Sequence, residues 1–198
     1  GIKNVIEGFV VAAKNAIEAG FDGVEIHGAN GYLLEQFLNP HVNNREDEYG
    51  GSIENRSRFT IEVVQAVADA IGKEKVGIRF SPFSKLGDLV DYGEEATQNT
   101  YAHLAEKLDG LQIAYLHIAV NAPIPEKTFE VIRDNFSGTL ILANGLNPET
   151  GEGALHKGFA DLVAFGRSFL SNPDFVERII TNAALNPVDF STLYTPGA

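Results

Sequence analysis

The sequence predicts an α/β chain built on a parallel sheet, and three observations carry that prediction. Short apolar strands alternate with amphipathic helices along the chain, the order that right-handed strand–helix–strand crossovers produce. Turn-forming pairs close three of the strands: Ser81-Pro82, Asn144-Gly145 and Gly166-Arg167. Within the strands one face is apolar and the other carries ionisable side chains.

Taken in order, Ile2, Val5, Ile6, Phe9, Ala13, Ala16 and Ile17 recur at helical spacing, and Gly20 ends that helix. Gly23 to His27 reads as the first strand. A polar loop follows from Asn39 to Gly51, and Ser52 is a good N-cap for a helix whose stripe is Phe59, Val63, Val67 and Ile71. Val76 to Phe80 is the second strand, and a helix from Glu94 to Leu108 leads to the third, Tyr115 to Ala119. A helix over Glu126 to Asn135 leads to Thr139 to Ala143; Pro148 starts a short helix; Leu162 to Phe165 is the last strand. A terminal helix runs from Pro173 to Asn182, and the chain beyond Leu185 is irregular. With no break in composition, residues 1–198 read as one domain.

The strand faces say more. Val24 and Ile26 oppose Glu25 and His27, Ile78 and Phe80 oppose Arg79, and Leu116 and Ile118 oppose Tyr115 and His117. The apolar face should meet the helices. Ionisable groups gathered on the other face need partners or a polar ligand, whereas an open sheet covered on both sides carries two apolar faces. A barrel holding a charged cofactor inside accounts for the pattern better. A (β/α)8 barrel needs eight strands and about 250 residues. So either three units are missing from this 198-residue chain, or it is an unusual five-unit α/β protein.

Composition narrows the partners. Acidic residues outnumber basic ones by 27 to 15, a formal net charge of −12, which disfavours nucleic acid and anionic membranes. There is no cysteine, hence no disulfide, thiolate metal site or cysteine nucleophile. No apolar run is long enough to span a bilayer, and no basic segment followed by an apolar one opens the chain, so a cytoplasmic location is expected. The chain starts at Gly1 and contains no methionine, which suggests a processed, excised or engineered sequence.

Three constellations could carry chemistry. His27-Gly28-Ala29-Asn30-Gly31-Tyr32 follows the first strand, where imidazole and amide can donate to one oxygen that gains negative charge and a tyrosine can supply a proton. The bland alternative is a capped strand end with Tyr32 packed against Leu33 and Leu34, which spacing alone favours for Tyr32 and leaves even for His27. Arg79 on the polar face pairs with Glu25 on the neighbouring strand or faces an anionic or electron-rich ring; spacing alone favours the ion pair. Asn144-Gly145 and Gly166-Arg167 close consecutive strands, where glycine lets backbone N–H groups approach an anion and arginine binds it bidentately; this tilts the reading towards phosphate over two ordinary turns. The Asn44 to Arg56 stretch reads as a surface loop held by side-chain hydrogen bonds, without metal-loop spacing. No lysine ends a strand, there is no G-x-S-x-G and no H-E-x-x-H, and His41, His103 and His156 have no evident role.

Phe21-Asp22-Gly23-Val24-Glu25-Ile26-His27-Gly28-Ala29-Asn30-Gly31-Tyr32-Leu33, Gln36-Phe37 and the Asn44 to Arg58 stretch resemble the old yellow enzyme family of flavin-dependent ene-reductases. Gly77-Ile78-Arg79-Phe80-Ser81-Pro82, Leu162-Val163-Ala164-Phe165-Gly166-Arg167, Asn172-Pro173-Asp174 and Thr192-Leu193-Tyr194 match as well. The resemblance implies a (β/α)8 TIM-type barrel with non-covalent FMN that reduces activated C=C bonds of enals, enones and nitroalkenes with NAD(P)H. It implies that His27 and Asn30 bind the substrate oxygen, Tyr32 protonates carbon, and Arg79 contacts the flavin pyrimidine edge. It places the phosphate at Asn144, Gly145, Gly166 and Arg167, and Tyr194 near the substrate. The match begins at the helix before the family's fourth strand, so strands one to three and the family's tail are expected outside this sequence. A chain of strands four to eight alone would leave open sheet edges, through which self-association is expected. Two other readings stand beside the ene-reductase: a truncated or engineered half-barrel that folds or self-associates without flavin, and a phosphate-ligand barrel enzyme of another chemistry, against which the His27, Asn30 and Tyr32 set argues.

Overall fold

The computed structural model describes residues 1–193. Five strands, β1 (Val24–Gly28), β2 (Val76–Phe80), β3 (Tyr115–Ala119), β4 (Thr139–Ala143) and β5 (Leu162–Ala164), form one parallel sheet in chain order. Helix α1 (Ile2–Glu18) precedes β1, and α2 (Leu33–Leu38) and α3 (Ile53–Ile71) follow it. Then α4 (Glu94–Leu111) leads to β3, α5 (Glu126–Asn135) to β4 and α6 (Pro148–His156) to β5; α7 (Arg167–Ser171) and α8 (Phe175–Thr181) come last.

Each strand is laid beside its predecessor in the same direction. Right-handed crossovers that always step one way set every connecting helix on one side of the sheet. A doubly wound sheet would instead reverse its order at a switch point and carry helices on both faces. The five units are therefore a length of (β/α)8 barrel wall.

The core lies between sheet and helices. Ile26, Ile78, Leu116 and Leu140 form one row across four strands and all are buried. Against them pack Val63 and Val67 of α3, Leu104 and Leu108 of α4, and Ile132 of α5. Each such side chain contributes about 1.5–3 kcal/mol when taken fully out of water. The opposite face of the first three strands carries the exposed Glu25 and His27 and the half-buried Arg79 and His117, so the division between faces follows the alternation.

Ser52 caps α3 as expected, its Oγ accepting the Asn55 N–H at 3.3 Å. The Asn44–Arg56 loop is stapled by side chains: Arg56 Nε donates to the Leu38 carbonyl and Asn43 Nδ2 to the Tyr49 carbonyl, at 2.8 and 2.7 Å. Three features depart from the expected elements. Helices α2 and α7 form where none was expected, because five or six residues are too few to show a helical period. β1 runs on to Gly28, and β5 stops at Ala164. Helix α1 is only partly covered, with Val10 and Ala13 buried and Val5 and Val11 exposed, and it packs chiefly on α3.

Candidate functional site

The parallel register sets His27 beside Arg79 and Arg79 beside His117, so three chain-distant side chains share one row near the C-terminal strand ends. One row below, Glu25 aligns with Gly77 and Gly77 with Tyr115. Glu25 does not pair with Arg79. Its Oε2 accepts from His117 Nδ1 at 2.8 Å, reaching two strands away. Between them the Tyr115 ring lies over Gly77, where a Cβ would come within 2.2 Å of it, so the missing side chain makes room for the tyrosine beside Glu25. Burial pulls the Glu25 carboxyl up, but its hydrogen bond and charge interaction with His117, helped by Tyr115 and Arg79, outweigh burial and leave it below its ordinary value. Arg79 Nε and His117 Nε2 are buried without a hydrogen-bond partner. Buried donors and acceptors are nearly always satisfied, so two unpaired atoms in one row are an exception that calls for an explanation.

Past β1 the chain turns through Ala29-Asn30-Gly31. The Tyr32 ring does not pack into a cap with Leu33 and Leu34: it is 61% exposed and stands 5.2 Å from the His27 ring, tilted by 49°. His27 is held below the ordinary histidine value, first by desolvation and then by the Arg79 charge, against a weaker pull from Glu25. At neutral pH it is a neutral imidazole with one N–H to donate. Asn30 has φ 61°. Its Oδ1 accepts from Asn121 Nδ2 at 2.5 Å, and Asn121 Oδ1 accepts from Asn144 Nδ2 at 2.6 Å. With its oxygen occupied, the Asn30 amide is left its NH2 as the group to offer.

That run of three amides crosses a cavity of about 500 Å3, lined by Asn30, Asn121, Asn144, Gly145, Gly166 and Arg167 among others. The two turns singled out in the sequence therefore do meet. Asn144 and Gly145 both adopt left-handed backbone, φ 66° and 63°. Arg167 is exposed, with its Cζ 5.5 Å from the Phe190 ring centroid, and no ion pair among the described residues includes it. Tyr194 lies outside the described residues. The sequence reading gave no role to His117 or Asn121. Alternation put His117 on the polar face but could not name its partner, and Asn121 sits in a loop with no motif around it.

A one-layered βα wall with convergent polar side chains at its strand ends is the frame of a barrel enzyme. The model of the NADH:flavin oxidoreductase / NADH oxidase family matches residues 1–186, and the chain belongs to that family. It is 44% identical over 201 residues to 12-oxophytodienoate reductase 2 of Arabidopsis thaliana, covering 98% of this chain and 53% of that protein. Morphinone reductase, solved in complex with tetrahydroNAD, superposes with a TM-score of 0.92 at 44% identity, over 98% of this chain and 53% of its own. The old yellow enzyme homologue from Zymomonas mobilis superposes with a TM-score of 0.90 at 35% identity, over 98% and 56%. The chain thus spans about half the length of the relatives it matches.

Proposed function

We propose that the chain carries the substrate-oxygen donors, the proton donor and the phosphate cradle of an FMN-dependent oxidoreductase that reduces activated C=C bonds of enals, enones and nitroalkenes with NAD(P)H, working within a closed barrel. The observation that carries this is the row His27, Arg79 and His117, in which Arg79 Nε and His117 Nε2 have no partner within the protein. A flavin fits those groups: a guanidinium suits the pyrimidine edge, and the Asn144-Gly145 and Gly166-Arg167 turns around one cavity suit a phosphate. When bound, FMN supplies hydride chemistry that no side chain of this sequence can perform.

The chain's own part is then electrostatic and acid–base. His27 and the Asn30 NH2 donate to the carbonyl or nitro oxygen of the alkene and stabilise the negative charge that grows there as hydride reaches the β-carbon. Neutral His27 suits this role, since its proton is shared and not lost to the oxygen. Tyr32, exposed beside His27, gives its proton to the α-carbon. Arg79 and Arg167 hold the two ends of the cofactor by charge.

The direct test is the visible spectrum of the protein after mixing with FMN and gel filtration. Retained flavin bands are expected; a protein that stays colourless sinks this reading in favour of a flavin-free half-barrel. Tyr32→Phe in the complete barrel should leave flavin reduction by NAD(P)H nearly intact and slow reoxidation by an enone about a hundred- to ten-thousandfold. Nitroalkenes should suffer less, because a nitronate can be released and take its proton from water. Equal slowing of both half-reactions would make Tyr32 a binding residue only.

A further inference from the structure

The turn that presents Asn30 and Tyr32 is backbone under constraint. Asn30 and Gly31 are consecutive residues in the left-handed region, φ 61° and 78°, a conformation that costs non-glycine residues about 1–2 kcal/mol. A Cβ on Gly31 would lie 2.2 Å from the Leu86 carbonyl oxygen, so the turn is also wedged against the loop after β2.

The group that holds it is Glu35, in α2, at 4% exposure. The Gly31 N–H donates to Glu35 Oε2 at 2.8 Å. Ser81, just past β2, lies with its hydroxyl 2.8 Å from both carboxylate oxygens, and its Oγ in turn accepts the Asn30 N–H at 2.8 Å. Tyr101 of α4 donates to Oε1 at 3.3 Å. None of these partners is a cation. Tyr92 and Asp91 line the same small void beside Glu35 and Tyr101. Arg56 acts on Tyr92 by charge and gives its Nε to the Leu38 carbonyl. Burial therefore dominates and raises the carboxyl to about 7, against the pull of the hydrogen bonds from Gly31, Ser81 and Tyr101. A buried carboxyl without a cation is a poor way to gain stability. Two of its three donors are the turn and the brace of the turn.

We infer that Glu35 is a positioning residue for the substrate-oxygen donors: its carboxylate fixes the Gly31 amide directly and the Asn30 amide through Ser81, setting the direction in which Asn30 and Tyr32 leave the turn. The inference rests on the reading of Asn30 and Tyr32 given above. Protonation turns one carboxylate oxygen into a donor, so the hydrogen bonds shared among Glu35, Gly31, Ser81 and Tyr101 change as pH falls.

Backbone amide spectra of the 15N-labelled protein, followed between about pH 5 and 9, test the clamp without flavin or turnover. The Asn30 and Gly31 signals should move together with one midpoint. In Glu35→Gln that shared midpoint should be gone, leaving only the effect of His27 at lower pH, and in Ser81→Ala it should remain at Gly31 alone. With FMN bound, Glu35→Gln should weaken 4-hydroxybenzaldehyde, whose phenolate offers the oxygen, about ten- to a hundredfold, with FMN affinity unchanged. Amides that do not titrate, or that keep the same midpoint in Glu35→Gln, overturn the inference, and so does undiminished phenol affinity in that variant. If the wild-type protein fails to bind the phenol at all, the reading of His27 and Asn30 falls, and the amide titration still decides whether Glu35 holds the turn.

Discussion

Behind His27, Arg79 and His117 stand Ile26, Ile78 and Leu116, none more than 4% exposed, with α1, α3 and α4 over them. At the other end of the sheet Leu162 of β5 is 53% exposed, and α7 and α8 leave Leu170 and Ile180 at 69% and 78%. The side that carries the proposed substrate-oxygen donors is thus anchored in a buried apolar core and braced by Glu35, Ser81 and Tyr101. The side of the proposed phosphate cradle rests on two turns and an arginine over the Phe190 ring, amid exposed apolar side chains. Directional hydrogen bonding to a developing charge tolerates little displacement. Holding a phosphate by charge tolerates more. The better-buried side is the one to which the proposed function assigns the stricter geometry.

The contrast can be broken most forcefully in the core. Leu116→Ala should cost about 2–5 kcal/mol in urea unfolding, whereas Ile180→Ala should stay within about 0.5 kcal/mol; similar losses would mean that α8 is as well packed as β3. The pH dependence of stability is the next largest effect. Glu35 is raised to about 7 from 4.5, so between those values the folded state holds a proton that the unfolded state has released. Stability should therefore fall as pH rises through that window, by up to about 3 kcal/mol, and level off above it. Glu35→Gln should remove this component, and an unchanged slope would mean that the carboxyl titrates normally. On the cradle side, Arg167→Ala should weaken FMN about ten- to a hundredfold with little change in the unfolding midpoint. An unchanged flavin affinity would take Arg167 out of the cradle.

Much of the wall was legible because alternation and helical period are properties of short windows. Glu25, His27, Arg79 and His117 could be assigned to one face from their neighbours alone. Their pairing could not: Arg79 lies nearer Glu25 in the register, yet Glu25 reaches His117 two strands away. The turns at Asn144-Gly145 and Gly166-Arg167 carried their own glycine signals. Glu35 carried none, since a lone acid in Leu-Leu-Glu-Gln-Phe-Leu reads as solvent-facing until the distant Ser81 and Tyr101 are seen to close over it. Asn121 was hidden for the same reason. Its neighbours Asn30 and Asn144 are reached through space and not along the chain.

The strict in-and-out alternation of β1, β2 and β3 has a consequence for how such a protein can change. Ile26 and His27, or Ile78 and Arg79, are covalent neighbours that answer to separate demands, one to the helices and one to whatever meets the polar face. A substitution in the set facing the helices should be penalised by unfolding, and one in the polar set, under the proposed function, by altered ligand binding. Chemistry can thus drift along every second letter of a strand while the letters between keep the wall standing.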